Sequence, residues 1–157
     1  MKKKIFSLTL IVFFLDQLLK HIVASKVLLQ EAFYIIPRFF YITHVQNTGG
    51  AWSIFSSIPY FLVMINILLL GLLIGYIYKK ETFSLVEVIY FGLILGGVLG
   101  NLMDRIFLDG VVDYIGVQFG NYYYPIFNFA DIAVVIGMAL IIIEIIRGEK
   151  HENRSRK

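Results

Sequence analysis

Four aspartates, Asp104, Asp109, Asp113 and Asp131, fall within the stretch GNLMDRIFLDGVVDYIGVQFGNYYYPIFNFAD, Gly100 to Asp131. One apolar run ends in it and another begins in it. These carboxylates therefore sit near the ends of membrane-crossing segments, where an ionisable group marks function by default. Asp113 and Asp131 have no basic neighbour in sequence. If folding brought them together in a medium of low dielectric, they would share one proton. One carboxylate would take a proton from water while its protonated partner polarised a carbonyl, which is the chemistry of an aspartic peptidase. Two aspartates in a membrane protein fit an ion path equally well, and spacing leaves both readings open.

Other polar residues are candidates for supporting roles. Asp16 and Lys20 lie one helical turn apart in an apolar run, so they can neutralise each other or buttress a site. Asn101, Asp104 and Arg105 share a helix face; Arg105 is expected to offset Asp104 and keep it ionised, as a structural anchor. The chain has no cysteine, hence no disulfide, thiol nucleophile or thiolate-held metal. His21, His44 and His151 lack metal-ligand spacing, and neither HExxH nor GxSxG occurs. No cofactor or metal is expected.

The elements that must position these residues are hydrophobic. The 157 residues are 59% hydrophobic and 16% charged, with a mean hydropathy of +0.78. Soluble domains are about 45–50% apolar and about 25% charged. An all-α membrane protein follows: one domain, 1–157, with four transmembrane helices in a bundle over 5–25, 59–78, 84–107 and 127–147. The start, MKKK before an apolar run, resembles a signal peptide. Asp16 and Lys20 interrupt that run and no small-residue cleavage site follows, so it reads as an uncleaved first span.

Lys2, Lys3, Lys4, Lys79, Lys80, Arg147 and Lys150 fall on one side with the basic tail. Both termini are thus expected in the cytoplasm, with outer segments at 26–58 and 108–126. This orientation explains the net charge of +3 better than a nucleic-acid partner does. Phe39 to Val45 and the run after Asp109-Gly110 are strand-like, giving a small extracytoplasmic β-rich segment on the membrane surface. Tyr122, Tyr123, Tyr124, Trp52 and Phe55 suit the membrane interface. Gly92, Gly96 and Gly100 recur every four residues and predict close helix packing, a device that Gly71 and Gly75 repeat. Glu87 and Glu144 lie near cytoplasmic helix ends, within reach of water.

Five motifs then occur in order: Asp16-Gln17 with Lys20, QNTGGAWS from Gln46, GNLMDR from Gly100, VVDYI from Val111 and FNFAD from Phe127. The chain resembles the lipoprotein signal peptidases, the type II signal peptidases of bacteria, over nearly its whole length. The resemblance implies an aspartic endopeptidase of the bacterial cytoplasmic (inner) membrane. It would act near the outer leaflet, cutting diacylglyceryl-modified prolipoproteins just before the lipidated cysteine. It implies Asp113 and Asp131 as the catalytic pair, with Asp16, Lys20, Asn47, Asn101, Asp104, Arg105, Asn128 and Ala130 shaping or supporting the site. Membrane lipid is the other expected partner, and a monomer the expected state. Gly50 stands where alanine is usual and Ile132 where serine is common, which bears on local packing or hydrogen bonding. The alternatives are a small proton-coupled membrane transporter using Asp16, Lys20 and Asp131, and a noncatalytic assembly subunit.

Overall fold

In the computed structural model, helix α3 (Leu85–Phe107) is the element on which the other three helices pack. Before it in the chain come α1 (Lys2–Lys26), β1 (Ala32–Ile36), β2 (Phe40–Asn47) and α2 (Pro59–Lys79). After it come β3 (Val111–Phe119), β4 (Tyr122–Tyr123) and α4 (Phe129–Ser155). The structure describes residues 1–50, 54, 55, 57–108 and 110–155, with 59 and 148–155 by backbone alone. All four helices are long and apolar enough to cross a membrane, and 67% of the most apolar stretch of α3 is buried, against 6% for α2.

Glycine is why α3 can be central. A methyl group on Gly92 would lie 2.7 Å from the Leu8 side chain, and one on Gly96 would lie 2.6 Å from that of Val12. One on Gly100 would run into the Asp16 carboxylate. The backbones of α1 and α3 therefore approach closely, as the four-residue repeat predicts. On the other side, Gly97 lies beneath the Ala130 carbonyl, and Gly137 of α4 beneath Ile94. Gly71 and Gly75 depart from expectation, because among the described residues nothing stands within 4 Å of where their side chains would be. Helix α2 joins the core through its second half, where Leu73, Ile74 and Ile77 meet the cluster around Ile5, Phe83 and Phe91.

The start of α3 is fixed by a reciprocal cap. Ser84 accepts the Glu87 backbone N–H at 3.1 Å, and the Glu87 carboxylate accepts that of Ser84 at 2.7 Å. Glu87 is also paired with Lys80 and receives the Tyr90 hydroxyl. It is a buried anchor, only 9% exposed, rather than the water-facing acid expected from its position.

The strands form one antiparallel sheet in the order β1-β2-β3-β4. Strands β2 and β3 fall where the β-branched and aromatic runs predict them. Strand β1 is additional; all five of its residues are exposed, so it carries no inward-outward alternation to read. Between β2 and β3, Val45 lies opposite Asp113 and Asn47 opposite Val111. Alternation puts Asn47 on the same face as Asp113, as its diagonal neighbour.

Candidate active site

Asp131 is held by the way α4 begins. Asn128 precedes the first turn, and its amide oxygen accepts the Asp131 backbone N–H at 3.0 Å. The Asp131 carboxylate accepts the Asn128 N–H at 3.1 Å in return. This is a capping box built from Asn and Asp instead of Ser and Glu. Because the Asn128 oxygen is committed to the helix, its NH2 group points away, donating to Asp113 Oδ1 at 2.7 Å and Asn101 Oδ1 at 3.1 Å.

Two more amides are oriented in the same way. Asn47 accepts the Gly49 N–H at 3.0 Å, which turns its NH2 group onto Asp113 Oδ2 at 2.7 Å. The Asn101 oxygen receives Lys20 Nζ at 2.9 Å, so its NH2 group donates to Asp131 Oδ1 at 2.7 Å. Each of the four carboxylate oxygens of Asp113 and Asp131 thus accepts one N–H, from Asn47, Asn101 or Asn128. Each keeps a further lone pair for a proton, water or substrate.

Asp113 is only 3% exposed. Burial first, and then the charge of Asp131, push its carboxyl up to about 7, against the lowering effect of the Asn47 and Asn128 hydrogen bonds. The two aspartates line one cavity of about 180 Å³ with Asn47, Asn101, Arg105 and Tyr124. A second cavity of about 270 Å³ shares Asn47, Gly50 and Asp113 with it. Among the described residues, no group of three or more His, Asp or Glu has the arrangement to hold a metal ion.

Behind the pair lies a buried ionic layer. Lys20 Nζ is 2.8 Å from Asp16 Oδ2 and 3.0 Å from Asp104 Oδ2, with all three side chains nearly inaccessible. Asp16 Oδ1 accepts the backbone N–H of Ala130 at 3.0 Å, and Asp104 Oδ2 accepts that of Val112 at 3.1 Å. Each of these carboxylates therefore pins the backbone one residue before an aspartate of the pair. The ion partner of Asp104 is Lys20, not Arg105, which corrects the reading from chain adjacency. Arg105 instead donates to the Asn101 carbonyl at 3.2 Å, and its buried Nε has no hydrogen-bond partner among the described residues. The sequence places these two side by side, but α1 supplies the nearer cation.

The structure brings together all ten residues singled out in the sequence: Asp113, Asp131, Asp16, Lys20, Asn47, Asn101, Asp104, Arg105, Asn128 and Ala130. Asp109 and Trp52 lie outside the described residues. Gln17 stands in the first motif without a role read from sequence, and it donates to Asp104 Oδ1 at 2.9 Å and to Asp16 Oδ2 at 3.3 Å. A neutral amide inside an apolar run was the available signal.

Residues 8–147 match the family model described as signal peptidase (SPase) II. The chain is 35% identical to the lipoprotein signal peptidase of Bacillus pumilus, covering 90% of this chain and 91% of that protein. It is 39% identical to that of Halothermothrix orenii, covering 93% and 97% respectively. A solved structure described as a bacterial membrane enzyme, determined in meso at 2.3 Å resolution, superposes with a TM-score of 0.85. It is 33% identical, and the match covers 94% of this chain and 90% of that one. A second, at 1.9 Å resolution, gives a TM-score of 0.79 at 35% identity, covering 90% and 91%.

Proposed function

This chain belongs to the signal peptidase II family, which removes signal peptides from prolipoproteins, and we propose that it does so as an aspartic endopeptidase whose acids are Asp113 and Asp131. The observation that carries this reading is the convergence of N–H donors from three asparagines on two carboxylates lining one cavity. Asp113, pushed up to about 7, holds the proton and polarises the scissile carbonyl. Asp131 takes a proton from the attacking water and gives it to the leaving amine as the tetrahedral intermediate collapses, while Asp113 recovers the proton it lent to the carbonyl oxygen. No covalent enzyme intermediate forms. The roles of Asp16, Lys20, Asn47, Asn101, Asp104, Arg105, Asn128 and Ala130 are to shape this site.

In this reading the protein is a single multi-pass domain, active as a monomer. Its termini are in the cytoplasm, and its sheet and catalytic pair are at the outer leaflet of the bacterial cytoplasmic membrane. The substrate is a prolipoprotein whose cysteine already carries diacylglycerol. The lipid lies between helices, and the peptide just before the cysteine reaches the aspartates. The transporter alternative finds no support among the relatives.

Purified protein with a diacylglyceryl-modified precursor tests this. Asp113→Asn and Asp131→Asn each keep side-chain shape but lose acid–base function, and each is expected to abolish cleavage. Full cleavage by either variant sinks the assignment. Equal cleavage of lipidated and unlipidated precursor sinks the substrate class.

A further inference from the structure

The ionic layer behind the site contains one side chain that the reaction as described does not use. The Gln17 Nε2 group has two hydrogens and three acceptors: Asp104 Oδ1 at 2.9 Å, and Asp16 Oδ2 and the Gly100 carbonyl each at 3.3 Å. It therefore spans from α1 to α3 and touches both carboxylates of the layer.

Lys20 has three N–H bonds to give, and they are directed at Asp16 Oδ2, Asp104 Oδ2 and Asn101 Oδ1. Asp104 Oδ2 also receives the Val112 N–H. Among the described residues, only Gln17 donates a hydrogen bond to Asp104 Oδ1. Without that bond the Asp104 carboxylate is held among the described residues through Oδ2 alone, by Lys20 and the Val112 N–H, and its broad sp³–sp² last torsion is less restrained. Turning would move Oδ2 off the Val112 N–H, which sits one residue before Asp113.

We propose that Gln17 is a positioning residue for the peptidase reaction: by holding Asp104 and Asp16 together, its carboxamide fixes the spacing of Asp113 and Asp131. Asp16 anchors Ala130 before Asp131, Asp104 anchors Val112 before Asp113, and Gln17 links the two anchors. Lys20 supplies charge to the same pair. An ammonium is a compact, rotatable point charge, whereas the planar amide fixes direction. The inference rests on the catalytic reading of Asp113 and Asp131.

The test is a steady-state comparison on purified, folded protein with a diacylglyceryl-modified precursor. Gln17→Met keeps length and removes the donors. Its kcat is expected to fall about ten- to a hundred-fold, with KM within about two-fold, because misplacement on the order of 1 Å has that effect on chemistry. Gln17→Glu is nearly isosteric, and it places a third carboxylate beside two; its kcat is expected to fall further. Should the methionine variant not fold, the glutamate variant carries the test. Wild-type kcat per folded molecule in either variant overturns the proposal, even if the melting temperature drops, since that is the signature of a purely structural part. Asp113→Asn and Asp131→Asn run alongside. If both are inactive while Gln17→Met is unimpaired, only this inference falls; if either is active, the catalytic reading falls and takes this one with it.

Discussion

Asn128 and Asp131 cap each other: the amide oxygen of one receives the backbone N–H of the other, and the carboxylate returns the bond. The same amide gives its N–H to Asp113. One side chain thus starts a helix and ties its first acid to the acid on β3. Asn128→Ser keeps an oxygen for the cap but loses the donor, while Asn128→Ala loses both. Both variants are expected to lose about ten- to a hundred-fold in kcat, as misplaced catalytic groups do. Only the alanine variant should also lose about 1 kcal/mol of stability, the usual worth of an N-cap. Cleavage rates and thermal unfolding of the two variants, side by side, separate these effects. Equal melting temperatures would remove the cap from the account.

The raised carboxyl of Asp113 sets a pH limit. A reaction that needs Asp113 protonated is expected to decline as pH rises through about 7. The Asn47 hydrogen bond lowers the Asp113 pKa. Asn47→Leu should therefore move the alkaline limb of kcat/KM to higher pH, even as the rate on the acid side falls. A limb that moves down, or does not move, contradicts this arrangement. Stability follows the same linkage. Between 3.8, the ordinary value, and about 7 the folded chain holds a proton that the unfolded chain has released. The contribution of Asp113 is thus full below 3.8, declines as pH rises, and is gone above about 7.

Much of this site is legible in the chain, for physical reasons. Carboxylates and asparagines in an apolar protein stand out because burying them is costly unless they are paired. The Asn128-x-x-Asp131 spacing is itself a cap signature, as is Ser84-x-x-Glu87 at the start of α3. What adjacency cannot supply is the partner. Arg105 stands beside Asp104 in sequence, yet successive helix positions face different ways, and the paired cation comes from α1. The glycines behave likewise: a four-residue spacing gives a small-residue face but not what covers it. That is why Gly96 meets Val12 while Gly71 meets no described residue.

The contrast between those glycines yields a direct stability test. Gly96→Ala puts a methyl 2.6 Å from the Val12 side chain and near the Thr9 carbonyl. Overpacking of this kind costs roughly 1–3 kcal/mol. Gly71→Ala meets open space and replaces a poor helix former, so it is expected to be neutral or to stabilise by about 0.5–1 kcal/mol. Thermal unfolding in one detergent compares them. Equal destabilisation would mean that α2 packs more closely than described.

Lys20 offers the sharpest energetic prediction, because it faces two carboxylates with one charge. Lys20→Met leaves Asp16 and Asp104 buried together without their shared cation, and removing one partner of a buried pair costs roughly 3–5 kcal/mol. Asp104→Asn leaves a one-to-one pair of Lys20 with Asp16 and retains an oxygen for the Val112 N–H, so it should cost less. Joining Lys20→Met to Asp104→Asn removes one of the two stranded charges. The double variant is therefore expected to unfold at a higher temperature than Lys20→Met alone, the reverse of additive damage. It should remain slow in cleavage, since Asn101 has lost the ammonium that directs its amide toward Asp131. If the two substitutions simply add, Lys20 is not compensating these carboxylates, and the ionic layer behind the site has been assigned the wrong role.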